Sequence, residues 1–108
     1  PLEKADGRLD WTRTARELDH QVRGMSPWPG AYVLEGEVPV KVHRARALTL
    51  SNDGALPGTV LGVDRDGIRV ACGEGVLAIQ ELQHPSRKRL SAEAFLAGRG
   101  WPAGTTLR

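Results

Sequence analysis

The sequence predicts a mainly β domain, a small OB-like Greek-key β-barrel with an N-terminal α-helix and a short C-terminal helix. Three observations predict it: apolar residues recur at period two in five short runs between residues 31 and 83, glycine-bearing turns separate those runs, and helical spacing appears on the two flanks. An SH3-like barrel is the rival architecture. At 108 residues the chain has room for one core and none for a second domain.

Residues 1–9, PLEKADGRL, are charged and aperiodic, and with Pro1 in place of a methionine they read as the end of an interdomain linker in a fragment of something larger. The domain proper is expected over 10–108. Trp11, Ala15, Leu18, Val22 and Met25 then fall at helical spacing, with Asp10 or Thr12 available as N-cap and an end near Gly24. Pro27 and Pro29 remove two backbone donors and stop the helix. In the segment PWPGAYV, Trp28 is expected to bury where helix meets barrel, and Gly30 to free the chain for a new direction.

AYVLE and VPVKVHRARAL flank Gly36 as a hairpin. Val40 and Val42 share one parity and Ala45 and Ala47 the other, which predicts a bulge near His43 and Arg44 and a strand serving two sides of a curled sheet. After a loop at 51–58 come the strands GTVLGVD, GIRVACG and GVLAIQELQ, turned by DRDG and GEG. Asp64, Asp66 and Gly67 mimic the start of a calcium loop, but strand residues follow at once and the closing ligands are missing, so a hairpin turn is expected. The basic loop HPSRKRL leads to Ser91 as N-cap of SAEAFLAG, with Gly98 ending that helix.

The composition, 40% hydrophobic and 26% charged, is that of a folded globular chain. No apolar run approaches the roughly 20 residues of a membrane span, so a cytoplasmic setting is expected, without membrane partners. Cys72 is the only cysteine, and with His20, His43 and His84 it makes no zinc spacing; no metal and no bound cofactor are expected. The serines occupy loop and cap positions, the histidines are scattered, and no phosphate-cradling glycine motif is found. By itself the chain is expected to have no catalytic residue.

Fifteen basic against thirteen acidic residues give a net charge of only +2, so distribution decides. Lys41, His43, Arg44 and Arg46 gather on one strand, and Arg87, Lys88 and Arg89 in one loop; Lys4 and Arg23 can extend the same surface. Such clusters either face phosphates or solvate a sheet face and guard its edge. Aromatic residues make up 5% of the chain, a poor stacking platform, so RNA binding would act on backbone and shape with steep salt dependence.

The runs GRLDWTRTARELDHQVRGMSPWPGAYV, PVKVHRARAL, PGTVL, GIRVACGEGVLAIQELQ and KRLSAEAFLAGR, in this order and with the ending WPAGTTL, resemble the C-terminal domain of the methionyl-tRNA formyltransferases. The resemblance implies an OB-like accessory domain that helps bind initiator methionyl-tRNA. It also implies an N-terminal formyltransferase domain, absent from this chain, that carries the catalytic residues and uses formyl-tetrahydrofolate as donor. Lys4, seven positions before Trp11 of the DW pair, stands where the family has a tRNA-contacting linker lysine; Lys41, Arg44, Arg46, Lys88 and Arg89 carry over as a basic barrel surface, and Arg23 and Arg87 join the expected RNA-binding set from the clusters described above. A monomer is expected. The alternative is a domain-packing module of a sugar-nucleotide formyltransferase or formyl-tetrahydrofolate dehydrogenase; a free-standing RNA-binding protein is disfavoured by the fragment-like start and the thin aromatic content.

Overall fold

The computed structural model describes residues 2–108; Pro1, the first residue of the expected linker, lies outside them. The elements run α1 (Ala15–Gly24), β1 (Ala31–Glu35), β2 (Val38–Leu48), β3 (Val60–Asp64), β4 (Gly67–Ala71), β5 (Val76–Gln83), β6 (Leu90–Ser91) and α2 (Ala92–Ala97). The mainly β class is the one expected; the two-residue β6 is an addition to it. All strand pairs are antiparallel in the order β1-β2-β5-β4-β3, with β6 on β5. β3, β4 and β5 are successive neighbours and β2 returns to lie beside β5, which is a Greek-key connection.

The last residues stitch the two outer strands together. Leu34 and Arg108 exchange both backbone hydrogen bonds, at 2.7 and 2.8 Å, while Val60 donates to Thr105 and Leu107 donates to Gly58, both at 2.8 Å. Neither β1 nor the start of β3 is therefore left as an open edge there. Inside lies one apolar cluster that includes Leu9, Trp11, Leu18, Val33, Val40, Ile68, Leu77, Ile79, Phe95 and Leu107.

Local chemistry explains the turns. Gly36 sits at φ 61° in the β1–β2 turn, a left-handed position that glycine adopts without a Cβ clash. In DRDG the Asp64 carboxylate accepts from the Asp66 N–H at 2.8 Å, an Asx turn that closes β3 onto β4 as the hairpin reading requires. Ser91 caps α2, its Oγ accepting from the Ala94 N–H at 3.0 Å.

Two expectations need correction. First, α1 begins at Ala15 and its N-cap is Thr14, which forms a reciprocal capping box with Glu17; neither Asp10 nor Thr12 caps it. The Asp10 carboxylate is taken up by the Thr12 N–H and hydroxyl, and the Trp11 and Arg13 carbonyls accept from the Gly73 N–H at 2.7 and 2.9 Å, so residues 11–13 cannot supply helical acceptors. Trp11 is buried all the same, ahead of the helix. Second, Trp28 is 58% exposed. The loop 25–30 is closed by Gly30 N–H donating to the Met25 carbonyl at 2.8 Å, which leaves Trp28 between its two prolines at the far side of the loop, away from the core.

Residues 4–9, read as linker, are seated on the domain. Gln21 Nε2 donates to the carbonyls of Asp6 and Arg8 at 3.0 and 3.1 Å, Leu9 is fully buried, and its N–H donates to the Tyr32 carbonyl at 2.9 Å.

A candidate nucleic-acid interface

The expected bulge exists, with a different consequence. The β2–β5 register shifts twice, between Val42 and Arg44 and between Arg44 and Ala45. One extra residue on β2 reverses parity, so Val40, Val42, Ala45 and Ala47 all pack on the single core, and the strand does not serve two sides. Lys41, His43, Arg44 and Arg46 are thereby left together on the outer face. Without the extra residue, half of this basic row would point inward.

These cations differ in how free they are. Arg46 pairs with Asp66 at 3.0 Å, Arg23 with Asp19 at 3.0 Å, and Arg44 and Arg89 flank the Glu81 carboxylate at 3.7 and 3.6 Å. Lys4, Lys41, Arg87 and Lys88 are exposed and make no ion pair among the described residues. Arg23 lies on α1, where its partner Asp19 also accepts from the Ala47 N–H at 2.9 Å and so seals the part of β2 that β1 does not reach. Arg87 and Lys88 ride on the loop before β6, which Gln83 Nε2 holds by donating to the Arg87 carbonyl at 2.8 Å.

Lys4 and Lys41, far apart in sequence, line one groove of about 470 Å³. Its floor is the outer face of β1, β2 and β5, where Tyr32 pairs with Lys41, Leu34 with Pro39 and Lys41 with Gln83. A smaller hollow beyond shares Pro29, Gly30 and Lys41 with it and adds His43 and Arg89. Five of the eight expected residues, Lys4, Lys41, Arg89, Arg44 and Arg46, thus follow one another across the outer face, whereas Arg23 is set apart on the helix.

Sequence reasoning missed a polar cluster at the end of β1. Glu35 Oε1 accepts from His84 Nε2 at 2.9 Å and Arg99 Nη2 at 2.6 Å, and Glu35 Oε2 from Trp101 Nε1 at 3.0 Å. Burial alone would raise the Glu35 pKa; the hydrogen bonds from His84, Arg99 and Trp101 outweigh it and hold the carboxyl below its ordinary value. The Trp101 ring meets Phe95 edge-on with centroids 5.0 Å apart, and His84 lies 5.4 Å from Phe95. No hydroxyl or thiol joins the cluster, so its chemistry is that of a clamp tying the 84–89 loop and the C-terminal segment to β1. Residues so distant in the chain leave no spacing signal. Cys72 is fully buried, and burial pushes its thiol up to about 12, which removes the thiolate that a nucleophile needs.

The polar chemistry of this small Greek-key β domain lies on an exposed cationic face and in an open groove beside it. The chain belongs to the formyl transferase C-terminal domain family, whose model ("Formyl transferase, C-terminal domain") matches residues 1–100. It is 44% identical over 106 residues to the methionyl-tRNA formyltransferase of Gluconobacter oxydans (strain 621H), covering 98% of this chain and 34% of that protein. It is 52% identical over 97 residues to that of Citrifermentans bemidjiense, covering 90% of this chain and 30% of the relative. The chain therefore spans about a third of the length of the curated relatives it matches. Among solved structures, HypX from Aquifex aeolicus in complex with tetrahydrofolic acid has the same fold, with a TM-score of 0.71 at 18% identity over 99% of this chain and 21% of that one.

Proposed function

We propose that this domain is the tRNA-binding accessory part of a methionyl-tRNA formyltransferase. In the whole protein an N-terminal formyltransferase domain holds formyl-tetrahydrofolate, and the methionine α-amino group of initiator methionyl-tRNA attacks the formyl carbon there. That domain supplies the general base and the oxyanion stabilisation. The present domain contributes position: lysine and arginine side chains hold tRNA phosphates so that the acceptor end reaches the catalytic site. It binds no cofactor itself, acts as a monomer, and works in the cytoplasm where translation begins. The observation that carries this reading is the outer basic row, with Lys41 and the neighbouring Lys4 unpaired at its end.

The test is binding of initiator tRNA by the variant Lys41→Ala/Arg44→Ala/Arg46→Ala across a salt series. Each lost phosphate contact lowers the slope of log affinity against log salt by about 0.7–0.9, so the variant is expected to bind more weakly and with a flatter slope. Of the single changes, Lys41→Ala is expected to weaken binding more than Arg46→Ala, because Arg46 is already shared with Asp66. Unchanged affinity and slope in the triple variant would sink the assignment of this face. A second reading, a domain-packing module of another formyl-tetrahydrofolate-dependent enzyme, draws on the exposed Trp28 and on Leu56, 77% exposed; it predicts no tRNA binding by the wild-type chain.

A further inference from the structure

Phosphate contacts to folded RNA need only a convex cationic face, yet the face of β1, β2 and β5 is hollowed and largely apolar. Its floor carries the Tyr32 ring, Leu34 and Pro39, and its volume of about 470 Å³ lies within the roughly 300–1,000 Å³ of small-ligand sites. Tyr32 stands directly across the strand pair from Lys41, whose ammonium is unpaired, and Lys4 borders the same hollow. An aromatic face beside two free cations complements a planar base joined to a phosphate. We infer that this groove seats one unstacked nucleotide of the bound RNA, its phosphate between Lys4 and Lys41 and its base or ribose over Tyr32; the inference rests on the RNA-binding reading above.

The groove also tells what the seat does not do. Gln83 is the side-chain amide in its lining, and both ends are committed, Oε1 to His43 Nε2 at 2.8 Å and Nε2 to the Arg87 carbonyl at 2.8 Å. His84 is held by Glu35. With Gln83 and His84 engaged, the Ser86 and Tyr32 hydroxyls are the neutral side-chain polar groups left in the lining, and a hydroxyl both donates and accepts, so the seat tolerates any base and contributes stacking in place of sequence selection. Glu37 is the acidic side chain in the lining and repels a phosphate there.

The experiment compares two RNA hairpins with the same stem, one blunt and one with a three-nucleotide unpaired end, by fluorescence anisotropy with the full chain. Tyr32→Leu, which keeps apolar bulk and removes the ring, is expected to weaken binding of the hairpin with the unpaired end by about fivefold or more and to leave the blunt hairpin unchanged. Tyr32→Phe is expected to match wild type on both, and Glu37→Gln to tighten the hairpin with the unpaired end. If Tyr32→Leu shifts neither hairpin, or weakens both equally, the seat is wrong while the RNA-binding reading stands. A wild-type chain that binds neither hairpin overturns that reading and the seat with it.

Discussion

Glu35→Gln tests the clamp at the end of β1. The substitution keeps shape and one carbonyl oxygen but turns the other acceptor into a donor, facing either Trp101 Nε1 or the crowded pair of His84 and Arg99. Glu35 is about three-quarters buried, with 24% of its side chain exposed, so water replaces the lost acceptor only in part. Hydrogen bonds to a charged group contribute about 1.5–3 kcal/mol, which sets the expected loss at about 2 kcal/mol. For a domain of this size that lowers Tm by about 8–16 °C, at roughly 4–8 °C per kcal/mol. The assay is urea unfolding of both proteins from pH 7 to pH 3. The Glu35 carboxyl lies below its ordinary 4.5 in the folded state, so its contribution is fully present above that value and is lost as pH falls through the folded value. The gap should therefore narrow as pH falls below 4.5. Asp10 and Glu17, whose carboxyls are also lowered, occur in both proteins and cancel. A gap of the same size at pH 3 and pH 7, or no gap at pH 7, would refute the clamp.

Two further predictions concern the ends of the packing. Leu107 is 2% exposed and belongs to the core cluster, so Leu107→Ala is expected to cost about 2–5 kcal/mol in urea unfolding; a loss below about 1 kcal/mol would show that the C-terminal segment is not part of the core. Trp11 and Trp101 are each 4% exposed while Trp28 is 58% exposed, so iodide should quench essentially Trp28 emission alone. Trp28→Ala is then expected to abolish that quenching with stability unchanged to within about 0.5 kcal/mol, and quenching that survives the substitution would contradict the loop geometry.

The strands were legible because their period-two patterns record a face that must be buried, and DRDG and Gly36 because turn chemistry is local. The bulge near His43 and Arg44 was legible for the same reason: a parity change in apolar residues has few other causes. Its consequence was not, since sequence alone does not say whether the two parities meet one core or two. The start of α1 escaped because Gly73, far along the chain in the β4–β5 turn, competes for the carbonyls of Trp11 and Arg13. Trp28 was misplaced because apolar character argues for burial, and the closing bond from Gly30 to Met25 overrides it. Lys4 was singled out in sequence, but its place beside Lys41 depends on how residues 4–9 pack on the domain. The Glu35 clamp joins residues from three distant segments and had no local signature.

The stitching of β1 to β3 by the last residues has a bearing on how the domain is made. Leu34 is made well before its partner Arg108 and the core residue Leu107, so β1 and β3 cannot both complete their pairing before the intervening chain is present. Closing so long a loop is entropically costly and is compensated only when Leu107 enters the core. Folding of this module is thus expected to finish as one late event, with no strand subset finished ahead of the others, and the outer basic face is assembled in the same event.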